Sequence, residues 1–197
     1  PPEGRRAAAA RAAGPEMRPP ATPAGLDMST AQYGLEPGRP RVTPYRTDTP
    51  PVIDANLDDP VWARAAYLNE FTQETPNEGA PATEETEIWI AYDEDHIYFA
   101  CYAHYADISI MRANMVRRDR ANVDDLCTIY FDTFLDQQRG YDFDVNGYGV
   151  QGDGLMSVAR RGRGGGGGSQ VPPADRSWNA LFETAGQPVE DGYVAEM

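Results

Sequence analysis

The sequence predicts an all-β fold, an antiparallel two-sheet β-sandwich of jelly-roll type with about nine strands and an extended N-terminal tail. Three observations carry it. Short runs alternate in character: Cys127, Ile129 and Phe131 against Leu126, Thr128 and Tyr130, then Tyr141, Phe143 and Val145 against Asp142 and Asp144. A repeat of two turns one side of a strand into a core. Turn-forming residues separate these runs, and Asn146-Gly147-Tyr148-Gly149 supplies positions that accept positive φ. Helical spacing is confined to residues 107–120, where Ile108, Met111 and Met115 fit a helix or an irregular crossover.

Taken in order, residues 1–51 are rich in Pro, Ala, Gly and Arg and show no periodicity. Such a composition buries too little apolar surface to offset its ordering entropy, so it reads as an extended tail that gains order against a partner. The sandwich is expected over residues 52–197. Asp59 before Pro60 has the form of a helix N-cap with Pro in the first turn, carrying Trp62 inward. Residues 70–73 form a brief strand. Residues 87–92 and 96–102 pair across the turn Asp93-Glu94-Asp95, with Ile88, Ile90, Ile97, Phe99 and Cys101 on one face. Trp89, Ala91, Tyr98, Ala100 and Tyr102 make the other face too apolar to be left in water, so something should cover it. Two hairpin strands follow inside residues 125–153, a further strand is expected at 155–159, and a flexible Gly-rich loop at 160–173. A strand is expected at 178–184 and another at 193–196, where an ending would leave a sheet edge.

The formal net charge of −14 is unevenly spread: residues 1–47 hold seven Arg against four acids, residues 48–159 twenty-two acids against six Arg. An acidic body repels phosphate backbones, and nucleic acid is excluded as a natural partner. No apolar run approaches the roughly 18 residues of a membrane helix, so the chain is not itself expected to be transmembrane. Cys101 and Cys127 both fall on the apolar parity, which fits two buried thiols or a disulfide.

Five ordered blocks carry a family likeness: residues 53–65 (IDANLDDPVWARA), 81–100 (PATEETEIWIAYDEDHIYFA), 117–119 (RRD), 125–153, and 190–196 (EDGYVAE). Together they resemble the domain similar to carbohydrate-binding module family 9, in the version found at the N-terminus of outer-membrane β-barrel proteins of unknown function. The resemblance covers residues 52–197. It implies a β-sandwich of the bacterial envelope, facing the periplasm or the outside, without a catalytic role. Sugar binding in that family rests on stacking aromatics, one of them just before the strand that starts at Asp125. Residues 119–124 hold no aromatic here, which leaves Trp89, Trp178, Tyr98 and Tyr102 as the ligand-stacking candidates.

The remaining chemistry is sparse. A glycosidase needs two carboxylates about 5 to 9.5 Å apart across a cleft; the acids here fall in turns and on outward strand faces, where solvation accounts for them. Asp93, Asp95, Asp124 and Asp125 are the candidates for a structural calcium, an ion that takes six to eight oxygen ligands. His96 and His104 lack the spacing of a zinc pair and have no nucleophile beside them. A related haem-binding sandwich family uses Met and His, which singles out His104, Met111 and Met115; otherwise no cofactor is implied. The reading is a non-enzymatic accessory or docking subunit of an envelope or membrane complex, with Arg5, Arg6, Arg11, Arg18, Arg39 and Arg41 of the tail as docking contacts. The alternative is a saccharide-binding module associated with an outer-membrane barrel.

Overall fold

The computed structural model describes residues 42–136, 138–157 and 174–197. The tail arginines Arg5, Arg6, Arg11, Arg18, Arg39 and Arg41 and the whole of the Gly-rich loop lie outside the described residues. Within them the strands are β1 (Tyr45–Arg46), β2 (Ala66–Leu68), β3 (Thr86–Tyr92), β4 (Ile97–His104), β5 (Leu126–Phe131), β6 (Arg139–Asn146), β7 (Gln151–Ser157), β8 (Ala174–Asp175), β9 (Ala185–Val189) and β10 (Gly192–Glu196). One sheet runs β1-β3-β4-β10-β9, with β2 also on β3, and the other runs β5-β6-β7-β8. Every described pairing between strands is antiparallel except that of β1 with β3. The predicted all-β sandwich is the observed fold.

The hairpin registers follow the alternation read from sequence: Ile90 faces Phe99 across β3 and β4, and Ile129 faces Phe143 across β5 and β6. Both faces of the six-stranded sheet are buried. Between the sheets, Ile88, Phe99, Cys101, Tyr193 and Ala195 meet Cys127 and Val145. On the outer face, Trp89, Ala91, Tyr98, Ala100 and Val194 meet Ala55, Leu57, Val61, Trp62 and Ala65. The apolar outer face is thus covered, and the cover is the chain's own segment 52–65.

That segment is a lid of consecutive turns rather than a helix. Trp62 N–H donates to the Asp59 carbonyl (3.1 Å) and Arg64 N–H to that of Val61 (3.0 Å). The Asp59 carboxylate is drawn away from a capping role by Val52 N–H (2.9 Å). Trp62 still points inward, only 2 % exposed. A buried carboxylate fastens the lid: Glu196 of β10 accepts from Asp54 N–H (2.9 Å), Ala55 N–H (2.6 Å) and Trp62 Nε1–H (2.8 Å). Burial pushes its carboxyl up, against the pull of those three donors.

The outward face of β6 departs from the expectation of solvated acids. Asp142 and Asp144 are 2 % and 5 % exposed. Arg176, just beyond β8, lies across them, with Nη2 2.6 Å from Asp142 and Nη1 2.8 Å from Asp144. Thr128 adds a hydroxyl to Asp144 at 2.7 Å. In register opposite the two acids stand Gly154 and Gly152. A Cβ on Gly154 would lie 2.8 Å from Asp142 Oδ1, so the carboxylates occupy space that side chains on β7 would fill.

Several elements differ from the sequence reading. The strand expected at 70–73 sits earlier, as β2, and Thr72 keeps one bridge to Pro81. Residues 107–120 hold a single 3-10 turn, Ile108–Ile110, capped by Asp107 Oδ1 accepting from Ser109 N–H. The segment 178–184 is irregular because its backbone groups bond to side chains instead of a neighbouring strand. β10 is no edge, since β4 and β9 pair with its two sides.

Candidate functional site

The site with the clearest geometry is a groove of about 1090 Å³ at the end of the sandwich where β3 turns into β4. Its floor is aromatic because three strands deliver phenylalanines to the same end of the inter-sheet layer: Phe99 from β4, Phe131 closing β5 and Phe143 from β6. Their rings meet edge to face, Phe99 to Phe131 at 5.7 Å, Phe131 to Phe143 at 5.7 Å and Phe143 to Phe182 at 5.1 Å. Such contacts hold rings in fixed orientations. The outer rim carries Val52, Ile97 and Leu181, all exposed, the last at 104 %.

The wall formed by residues 180–183 is positioned by a buried charge pair. Asp153 of β7, with 0 % exposure, pairs with the Arg118 guanidinium and accepts from Ala180 N–H at 2.6 Å. Arg118 Nη2 donates to the Ala180 carbonyl (2.9 Å), and its guanidinium lies 5.2 Å from the centre of the Phe182 ring. Gln151 Nε2 donates to the Phe182 carbonyl (2.9 Å). These bonds occupy both sides of the segment's backbone and leave Leu181 between two pinned residues. Asp93, Asp95 and Glu183 place carboxylates around the opening, with His96 beside them. The hydrogen bond from Tyr98 holds the Asp93 carboxyl below its ordinary range, helped by the N–H groups of Asp95 and His96.

The stacking candidates are dispersed. Trp89 is 5 % exposed in the core beneath the lid, its ring 5.4 Å from that of Tyr67, so it offers no open face. Tyr98 is buried in the same core and donates its hydroxyl to Asp93 (2.5 Å), contributing to the groove wall. Tyr102 is half-buried, stacked on His104 at 3.8 Å and hydrogen-bonded to Asp191 (2.5 Å). Trp178 is half-buried on the other sheet, 4.8 Å from Tyr141.

The four calcium candidates fall in two places, the β3–β4 turn and residues 124–125, and the carboxylates of Asp93, Asp124 and Asp125 are engaged in local structure. Asp93 closes the β3–β4 turn by accepting from Asp95 N–H (2.8 Å) and His96 N–H (2.7 Å). Asp124 accepts from Asn114 N–H (2.9 Å), Asn114 Nδ2 (2.6 Å) and Asn146 Nδ2 (2.8 Å). Burial raises the pKa of Asp124, but those bonds outweigh it and the net direction is down. Asp125 accepts from Tyr105 and from Arg112 N–H, 2.9 and 2.8 Å. Among the described residues no group of three or more His, Cys, Asp or Glu is arranged to hold a metal ion. The structure does not bring the three haem candidates together: His104 lies on the outer-face parity of β4 against Glu87 (2.9 Å), Met111 packs into the core on the other side, and Met115 is exposed.

Sequence reading missed the groove as a site. Phe99, Phe131 and Phe143 were legible as core residues, but their opening at one end depends on where the sheets and residues 180–183 stop. The available signal was Ala180-Leu181-Phe182, an apolar run beside a Gly-rich loop. Among the described residues no helix is long and apolar enough to cross a membrane. No family model, curated protein or solved structure matches the chain.

Proposed function

We propose that this chain is a non-catalytic β-sandwich that docks a partner protein of an envelope assembly, and that the aromatic groove receives the partner's apolar side chains. The observation that supports this most is Leu181, fully exposed beside an open floor of four phenylalanine rings. Exposed apolar surface joined to a concave aromatic floor and rimmed by polar groups is the pattern of a recognition site. The rim charge selects the occupant. Asp93, Asp95 and Glu183 favour a peptide segment with a leucine or phenylalanine anchor flanked by arginine or lysine. The envelope setting rests on the family resemblance. The saccharide alternative has less support, since Trp89 and Tyr98 are buried beneath the lid.

A fluorescent peptide with a Phe-Leu anchor between arginines tests the reading, alongside a copy flanked by glutamates. Saturable binding of the basic peptide, weakened at high salt and lost in Leu181→Asp, is the expected result. Equal binding of both peptides, or no effect of Leu181→Asp, would overturn it. Retention on immobilised glycans that competes with the basic peptide would shift the groove to the saccharide alternative.

A further inference from the structure

The two cysteines of the chain lie on opposite sheets and face each other. Cys101 is on β4, Cys127 on β5, and both are buried free thiols in the core between the sheets. Both thiols belong to the same buried cluster between the sheets, Cys101 from one layer and Cys127 from the other, and they are near enough to influence each other's ionisation. Their neighbours in register are Ile88 on β3 and Ala195 on β10 for Cys101, and Val145 on β6 for Cys127. We propose that Cys101 and Cys127 are a disulfide-forming pair that staples the two sheets when the protein folds in an oxidising compartment.

Closing the bond brings the sulfurs to about 2.05 Å with the Cα atoms roughly 4.4 to 6.8 Å apart, so β4 and β5 must approach more closely here than packed sheets on average, which stand about 10 Å apart. The step is thiol–disulfide exchange with a low-molecular-weight disulfide. One cysteine thiolate attacks the oxidant and forms a mixed disulfide, releasing one thiol of the oxidant. The second cysteine thiolate then attacks the protein sulfur and expels the other half, so two protein thiols are oxidised and the oxidant's disulfide is reduced to two thiols. The hydrogen bond with Cys127 and burial together hold the Cys101 thiol well above its ordinary pKa, which makes the folded pair slow to react. Oxidation therefore belongs to folding, before the layers close, and afterwards the same burial shields the bond from reductant. The inference is independent of what the groove binds.

The full chain, reduced and unfolded, is refolded with oxidised and reduced glutathione and followed by intact mass and by thiol titration in denaturant. The expected product is a monomer lighter by two hydrogens with neither of its two cysteines titratable, and a digest without reductant gives one cross-linked peptide pair. Its melting midpoint lies on the order of 10 °C above the reduced protein, as a closed loop of this length gives. The Cys101→Ala/Cys127→Ala variant shows no difference between oxidising and reducing buffers. Two titratable thiols after oxidative refolding, glutathione adducts alone, or disulfide-linked dimers would overturn the proposal. So would a bond that forms without raising the midpoint. If the alanine variant does not fold, the peptide map and the redox dependence of the native sequence decide the question alone.

Discussion

The outer faces of the two sheets are closed by opposite chemistry. Over the six-stranded sheet lies an apolar lid, residues 52–65, whose Trp62 enters the core and whose backbone is fastened by one buried carboxylate, Glu196. Over the four-stranded sheet lies a charged strap, Arg176, bridging Asp142 and Asp144 above two glycines. An apolar face gains by excluding water, so any well-shaped cover suffices. A face of carboxylates buried in low dielectric is stable only while its counter-charge stays in place. The end groove differs from both in being concave and aromatic and left open, with Leu181 exposed at its rim.

The comparison breaks most severely at the lid. Trp62→Ala removes the largest side chain under it and orphans a Glu196 carboxylate oxygen, and should cost about 3 to 5 kcal/mol. Urea unfolding measures it. Glu196→Gln keeps the volume but turns an N–H₂ toward backbone donors, at about 1 to 3 kcal/mol. A loss below 0.5 kcal/mol for Trp62→Ala would mean that the lid is an appendage and not part of the core.

Arg176→Ala probes the strap and carries a pH signature of its own, set by Asp142 as the lid's is set by Glu196. Burial, the first cause, and Asp144 raise the Asp142 pKa, while Arg176 opposes them. A carboxyl whose folded pKa exceeds its unfolded value of 3.8 penalises folding increasingly as pH rises through the interval between the two. Removing Arg176 widens that interval. The variant should lose about 3 kcal/mol at neutral pH and recover part of it on acidification, as the folded state takes up a proton first. Asp124 behaves in the reverse sense: its lowered pKa gives stability that is complete above 3.8 and disappears as pH falls through the folded value. Paired melts of the native chain and Arg176→Ala from neutral to acid pH separate the two. A penalty independent of pH would show that Arg176 acts by packing alone.

These contrasts also mark what was legible beforehand. Whereas the strand expected at 155–159 starts earlier, as β7, alternation located β3 to β6 and β10, because one buried side imposes a period of two. It misplaced β2 and turned residues 178–184 into a strand, because nothing local reveals that Arg118, Gln151 and Asp153 take up that segment's backbone groups. Asp142 and Asp144 looked solvated because their partner is more than thirty residues away. The legible hint was the pair Gly152 and Gly154, spaced as the two acids are. Glu196 offered a similar hint, an acid sharing parity with Val194 in an otherwise apolar strand.

The gentlest test uses two adjacent residues of the groove wall. Leu181 is solvent-facing and Phe182 is held against Phe143 and beneath the Arg118 guanidinium. Leu181→Asp touches no packed neighbour, so its effect on stability should stay within about 0.5 kcal/mol. Phe182→Ala removes part of the floor and should cost about 2 to 3 kcal/mol, short of a full core aromatic because the ring is only partly buried. Both should abolish capture of the basic-flanked peptide, Leu181→Asp through the lost apolar rim alone. Peptide titrations beside urea melts give the two axes. A groove that serves recognition predicts that Leu181→Asp separates them, intact fold with lost binding, whereas a groove that is merely an unfilled end of the core predicts that binding, if any, tracks stability.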